Sequence, residues 1–490
     1  MNTRTVGSTS FVRLLGDWRS AEGGRRPAFR ALADQVVVLA RDGRLPAGVS
    51  LPGERDVAAR LGVSRSTVTA AYAALREDGY LDSRRGARST VTLPAAPATP
   101  VGLLVPAGRT ASGAAPIDLS VAAMAAPPEL AGWYAEAVPQ LAPYLAGHGM
   151  DLAGVPELRR AVADRFTGRG LPTRPEQILV TAGAQQALGL VFSVLLAPGQ
   201  RVVIDHPTYP HALGALAAAG ARPVPVGLRA EPDAPVGWDL DGWRAAIRQT
   251  SPSAAYLVAD FHNPTGLCLP VAGRRAMHQL ARDARTTLIV DETMTELWLD
   301  EPAPPPMAAF GPAVTVGSAS KAIWGGLRIG WVRADESVIT RLAAARVARD
   351  LGAPPLEQLV AALALAGLDD LLARRRDLLS RQRSALVRAL ADQAPDWVAT
   401  PGTGGMAAWV RLPAAVSSRL AQAALEHGVV VSAGPRFGVD GAFERWLRVP
   451  YVLPPAPLTA AVTALVEAYT SITAGPRARD DLHGPTRLVV

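Results

Sequence analysis

Apolar residues recur at helical spacing from Phe29 to Arg41, and Arg44-Leu45-Pro46-Ala47-Gly48 breaks the run. Glu54 to Leu61 has the pattern of a short helix, and Gly62-Val63 supplies a tight turn. Ser64 is then placed to cap a third helix through about Asp78, because its hydroxyl can accept a backbone N–H that the first turn leaves unpaired. Gly79 stops that helix. Tyr80-Leu81-Asp82-Ser83 and Ser89-Thr90-Val91-Thr92 read as two short strands around Arg84-Arg85-Gly86. Further along, short apolar strands are predicted at 178–180, 201–204, 254–258, 287–290 and 313–316. Helical patterns such as Ala184–Leu196 and Gly273–Arg285 separate several of them. The last hundred residues add helices and strands near Ala407–Arg411 and Trp446–Val449.

Helix, helix-turn-helix and hairpin is the layout of a winged DNA-binding domain. The alternation after it predicts an α/β domain with a largely parallel sheet and a smaller α+β lobe. Between them, residues 94–116 are rich in Pro, Ala and Gly with one charge, Arg109, and read as a semi-extended linker. The expected organisation is an extension over 1–26, a winged helix over 27–93, the linker over 94–116, the large domain over 117–474 and a tail over 475–490.

Charge sharpens this division. Residues 1–93 hold 15 Arg against 9 acidic residues, which accounts for +6 of the chain's formal +7. A basic module ahead of a nearly neutral body suits a polyanion, with DNA the first candidate. A single cysteine, Cys268, excludes an internal disulfide, and neither it nor the seven His show metal-ligand spacing. No signal peptide or membrane-length apolar run is visible, so a cytoplasmic location with no membrane partner is expected.

The chain has one lysine, Lys321; every other residue among the 50 Lys+Arg is Arg. A guanidinium stays protonated, whereas a desolvated lysine amine can lose its proton and attack a carbonyl. Lys321 is therefore the candidate for covalent chemistry.

The segment from Leu51 through Leu81, with Glu54-Arg55-Asp56-Val57-Ala58 and Val63-Ser64-Arg65-Ser66-Thr67-Val68 at its centre, resembles the winged helix-turn-helix of the GntR family of bacterial repressors. Ser64, Arg65, Ser66, Thr67 and Thr69 cluster at the end of the third helix that such domains insert into the major groove. Arg55 is placed to hold backbone or a base edge, and Arg84, Arg85 and Gly86 at the wing tip to approach the minor groove or phosphates. Val57, Ala58, Leu61, Val68, Tyr72 and Leu75 are assigned to the core.

Five pieces of the second domain resemble the fold-type I, pyridoxal-phosphate-dependent aminotransferases of class I/II over about residues 117–470. Gly183-Ala184-Gln185 opens a helix after a strand, so the N–H groups of Ala184 and Gln185 are phosphate-binding candidates. The resemblance implies that Tyr209 stacks on the pyridine ring and that Asn263, in Asn263-Pro264-Thr265-Gly266, bonds its phenolic oxygen. Asp291 ends an apolar strand where open α/β sheets bind ligands, and a carboxylate there keeps the pyridine nitrogen protonated. Ser318-Ala319-Ser320-Lys321 and Arg328 complete the site: Lys321 for the Schiff base, Ser318 and Arg328 for the phosphate. Arg448, in Trp446-Leu447-Arg448-Val449, matches the Arg that pairs with a substrate carboxylate.

Two positions depart from that pattern. Thr293 and Met294 stand where such enzymes carry a Tyr bonded to the cofactor. No Tyr precedes Gly154 in the stretch 149–154, with Tyr144 and His148 as the nearest substitutes. Both departures weigh against fast turnover more than against cofactor binding.

A GntR-type winged helix, a linker and an aminotransferase-like domain in one chain resemble the MocR family of bacterial transcription regulators. The resemblance implies a homodimer, often domain-swapped, that binds promoter DNA and senses pyridoxal phosphate or an amine or amino-acid effector at Lys321. An active aminotransferase, or a regulator whose larger domain no longer binds the cofactor, are the alternatives.

Overall fold

A computed structural model describes residues 5–16, 18, 27–41, 44–82, 89–92, 116–229 and 237–473. The chain divides into two units, one of Met1–Ile117, Val416–Val430 and Thr463–Val490, the other of Asp118–Ala415 and Val431–Val462.

In the first unit, α1 (Ser8–Leu15), α2 (Ala28–Arg41), α3 (Glu54–Leu61) and α4 (Arg65–Glu77) precede β1 (Leu81–Asp82) and β2 (Thr90–Val91), which pair antiparallel. The α3–α4 turn works because Gly62 takes φ +64°, which costs a glycine nothing, and Val63 N then reaches Ala58 O at 3.1 Å. Val57, Ala58, Val68, Tyr72 and Leu75 are buried as their spacing predicts, while Leu61 is half-buried at the margin. The residues ahead of 27 also contribute: Phe11 and Leu15 of α1 are fully buried in this same core. The Tyr72 hydroxyl donates to Pro52 O at 3.1 Å, so this buried polar atom is satisfied.

After Ile117–Leu119 (β3), eight strands build the large sheet of the second unit. They are β4 (Ile178–Thr181), β5 (Arg201–His206), β6 (Arg222–Arg229), β7 (Gly237–Trp238), β8 (Ala254–Leu257), β9 (Thr287–Asp291), β10 (Val314–Ser318) and β11 (Gly330–Arg333). Their order is β4-β11-β10-β9-β8-β5-β6-β7. The central run from β10 to β6 is parallel, while β11 pairs antiparallel with both β10 and β4. Both faces of this sheet carry helices, which is why its strands read as continuous apolar runs and not as alternating ones. A five-stranded sheet follows with β12 (Val398–Thr400), β13 (Ala407–Arg411), β14 (Val429–Ala433) and β15 (Trp446–Pro450), in the order β12-β13-β15-β14-β3. The strands β5, β8, β9 and β10 all end at one edge of the large sheet, and the candidate residues cluster there.

Candidate functional site

In the first unit the Ser64 hydroxyl caps α4 by accepting Thr67 N at 3.1 Å. Its oxygen also lies 2.8 Å from both the Ser66 and Thr67 hydroxyls. Thr69 is turned differently from the expectation. Its hydroxyl donates to Glu54 Oε2 at 2.6 Å, tying α4 to the start of α3. The side chains of Arg55 and Arg65 are exposed and form no ion pair among the described residues, so α3 and the tip of α4 present two uncompensated cations. Arg84, Arg85 and Gly86 lie outside the described residues.

In the second unit, Lys321 follows β10 on a single turn, Ala319–Ala322, capped by Ser318. The Ser318 hydroxyl is engaged locally: it accepts Ser320 N at 3.1 Å and donates to Ile329 O at 3.1 Å. The Lys321 amine donates to Ala122 O at 2.7 Å. Desolvation pulls its pKa down to about 8; the charges of Arg448 and Arg328 act in the same direction and Asp291 opposes them.

Asp291 is buried at the end of β9, where it accepts Tyr256 Oη at 3.2 Å and Thr293 N at 3.0 Å. Burial raises its pKa, and those bonds together with Lys321 hold it partly back. Tyr209, just past β5, lies within reach of the charges of Asp291, Arg448 and Arg328, with its hydroxyl 3.0 Å from His211 Nδ1. Asn263 lines one small cleft with Ala122, Phe261, Met294 and Met406.

Three backbones meet at a cradle. Gly183 opens the helix Ala184–Leu195 at φ +88°, and a Cβ there would come within 2.6 Å of Arg328 Nη2. A Cβ on Gly330 would lie 2.6 Å from Gly183 C and 2.8 Å from Ala184 N. Arg328 itself takes φ +54° and donates to Ala182 O at 3.1 Å. The first N–H groups of a helix have no partner within it, so Ala184 and Gln185 offer donors next to a guanidinium. Gln185 donates to His211 O at 3.1 Å, and its amide oxygen is buried with no partner.

Arg448 on β15 is 7% exposed. It donates through Nη2 to Ser120 O and lies 5.1 Å over the Phe437 ring, while Nε is buried without an acceptor. Burial, and next Arg436, bring its pKa down to about 10. Tyr144 donates to Glu157 Oε2 at 2.6 Å and His148 Nδ1 accepts Met150 N at 3.1 Å, so both are engaged locally.

The structure thus brings Tyr209, Asn263, Asp291, Lys321, Arg328, Arg448 and the 183–185 turn to one edge of the sheet. Several members escape sequence reasoning. Tyr256 sits inside an apolar strand, and Ser120 and Ala122 act through carbonyls that every residue possesses. His211 had a signal, two residues after Tyr209, but an ambiguous one.

Residues 135–465 match the family of "Aminotransferase class I and II", and residues 28–91 match "Bacterial regulatory proteins, gntR family". The 2-aminoadipate transaminase of Thermus thermophilus is 32% identical over 58% of this chain and 73% of its own. The HTH-type transcriptional regulator YisV of Bacillus subtilis is 28% identical over 89% of this chain and 94% of its own. Among solved structures, the α-aminoadipate aminotransferase LysN of Thermus thermophilus, complexed with N-(5′-phosphopyridoxyl)-L-leucine, superposes with a TM-score of 0.65. It is 30% identical and covers 73% of this chain and 93% of its own. The cofactor of this family is pyridoxal 5′-phosphate. The cradle that a Cβ would fill, the amine of lowered pKa and the buried carboxylate fit a group with a phosphate, an aldehyde and a basic ring nitrogen. Among the described residues no helix is long and apolar enough to cross a membrane. With the gntR-type domain ahead of this site, the chain belongs to the aminotransferase class I and II family and has the MocR-type arrangement of helix-turn-helix transcription regulators.

Proposed function

We propose that this protein regulates transcription by binding promoter DNA through its winged helix and by sensing pyridoxal phosphate, or an amine or amino acid that reacts with it, at Lys321. The observation that carries this reading is the Lys321 amine, the chain's only one on a side chain, desolvated and held by Ala122 O beside Asp291. Residues 27–93 would serve as the DNA-binding domain, 94–116 as the linker and 117–474 as the sensor. The 1–26 extension and the 475–490 tail would flank them.

When bound, the cofactor supplies a carbonyl carbon that amines attack and a ring that withdraws electrons. This chain's residues do the rest. Arg328 and the Ala184 and Gln185 N–H groups would hold the phosphate, with Ser318 fixing the turn that presents Lys321. Asp291 would keep the ring nitrogen protonated, Asn263 would bond the phenolic oxygen, and Tyr209 would lie against the ring. Arg448 receives the carboxylate of an effector. For such an effector to act as a switch it must favour one arrangement of the protein over another. The favoured assembly is a homodimer whose paired winged helices read two half-sites. Arg55, Arg65, Ser64, Ser66 and Thr67 would face the DNA, with Arg84, Arg85 and Gly86 as further candidates from the sequence.

Turnover as an aminotransferase is the second reading, favoured by the likeness to enzymes and opposed by Thr293 and Met294, which stand where such enzymes carry a Tyr bonded to the cofactor. Two measurements on one preparation decide. Titration with pyridoxal phosphate should raise a visible absorption band in the wild type and none in Lys321→Ala, and footprinting of the upstream promoter should protect two half-sites. A keto acid produced continuously without DNA binding would establish the enzyme instead. No band in either protein would leave the larger domain as a scaffold.

A further inference from the structure

Tyr209 is the N-cap of the helix Pro210–Ala218, and His211 stands in that helix's first turn. This turn is tied to the candidate site from two directions. Gln185 Nε2 donates to His211 O at 3.1 Å, and Gln185 is the second residue of the helix that Gly183 opens beside Arg328. Thr208 N donates to Phe437 O at 2.7 Å, and the Phe437 ring lies 5.1 Å from the Arg448 guanidinium carbon. Direct contacts therefore join Tyr209 and His211 to the cradle on one side and to Arg448 on the other.

The Tyr209 ring packs against the apolar core that includes Ala187, Val191 and Leu216. Its hydroxyl lies 3.0 Å from His211 Nδ1, with the ring centroids 5.2 Å apart and the planes inclined at 56°. Burial pushes the Tyr209 phenol up to about 12, so it keeps its proton and can donate. Burial, and then the charges of Arg436, Arg448 and Lys321, hold the His211 pKa below its ordinary value. A neutral imidazole has one bare nitrogen, so the bond runs from the phenol to Nδ1 with the imidazole proton on Nε2. A phenol held at its edge by the core and at its tip by an acceptor is ordered before any ligand arrives, and ligand binding then loses less side-chain freedom.

We propose that His211 is a positioning residue for the cofactor: its Nδ1 holds the Tyr209 hydroxyl and so fixes the aromatic ring against which the pyridine ring would lie. This rests on the reading of the site as a pyridoxal phosphate sensor. His211 acts only through Tyr209. A side chain without an acceptor at this position leaves Tyr209 to be ordered at the moment of binding.

Titration of pyridoxal phosphate into full-length wild type, His211→Leu, Tyr209→Phe and the double variant tests this. Visible absorbance gives the affinity, and visible circular dichroism reports how asymmetrically the bound ring is held. His211→Leu should weaken binding about three- to tenfold, the size of one lost hydrogen bond, and reduce the dichroism per bound ligand. In the Tyr209→Phe background the same substitution should change neither, because the hydroxyl is already gone. His211→Asn, whose amide oxygen can stand in for Nδ1, should recover most of both. Without any cofactor, the nitrogen NMR shift of His211 Nδ1 should move in Tyr209→Phe, and an unchanged shift overturns the bond itself. A visible band in the wild type with equal losses from His211→Leu in both backgrounds assigns His211 to packing at the helix start and overturns this role alone. A wild type with no band overturns the sensor reading and this role together.

Discussion

Gly183 and Arg328 approach so closely that a Cβ on the glycine would sit 2.6 Å from the guanidinium Nη2. The glycine also holds φ +88°, which L side chains rarely adopt. Gly183→Ala should therefore displace Arg328 and strain the helix start together. The expected result is about tenfold weaker pyridoxal phosphate binding and about 1–2 kcal/mol lower stability. Absorbance titration and denaturant melts measure the two effects, and unchanged cofactor affinity would show that the cradle is not the phosphate site.

Lys321 has a folded-state pKa near 8 against an ordinary value of 10.5. Between these values the unfolded chain keeps a proton that the folded protein has released, so stability rises with pH across this window. Without cofactor, the wild type should gain stability from about pH 8 to about pH 10 relative to Lys321→Met, which cannot titrate. The rate of capture of pyridoxal phosphate should climb through about pH 8 as the neutral amine forms, because only that form attacks the aldehyde. A flat rate across that range would contradict the lowered pKa.

Ser64 and Arg65 make separable contributions at the start of α4. Ser64→Ala removes the cap to Thr67 N and should cost about 1 kcal/mol of stability. Arg65→Ala should leave stability nearly unchanged, because the side chain is exposed and forms no ion pair among the described residues. It should weaken promoter binding by about 1–3 kcal/mol, or by less with a shallower salt slope if it contacts only phosphate. Fluorescence anisotropy at several salt concentrations separates these cases, and promoter affinity equal to wild type at all of them would remove Arg65 from the DNA surface.

Arg169 lies between two buried carboxylates, with Nη1 3.5 Å from Glu292 Oε2 and Nη2 3.8 Å from Asp260 Oδ2. Arg274 pairs with Asp260 from another side, and Thr295 donates to it. Burial already raises the Glu292 pKa, and Arg169 restrains that rise. Arg169→Met should cost about 2–4 kcal/mol near neutral pH by leaving Glu292 without its counter-charge. A raised carboxyl pKa means that the folded state holds a proton the unfolded chain has lost, so stability falls as pH rises through that range. The deficit of Arg169→Met should accordingly be larger at about pH 8 than at about pH 5 in urea melts, and an equal deficit at both would assign the loss to packing.

The residues that form elements were legible because their signals are local. Ser64 before an apolar period, Gly62 at a turn and Gly79 after a helix each act through their own backbone, and α3 runs over Glu54–Leu61 as its pattern predicts. The positions of Lys321, Asp291 and Arg328 were legible for a similar reason, since each stands next to a strand end or glycine that marks its place in the chain.

What pairs with these groups was decided only by the tertiary structure. Tyr256 reaches Asp291 because β8 and β9 are neighbours, and Ala122 O reaches Lys321 across 199 positions of sequence. Thr69, which belongs by spacing to the DNA surface, is turned onto Glu54 because the two helices pack there. The charge balance around Arg436, Arg448 and His211 likewise exists only after β15 and the turn before it fold beside Tyr209. Covalent sequence sets which groups a chain possesses and how its backbone bends locally. Desolvation and Coulomb interaction depend on distance in space, so pKa and pairing come from the fold.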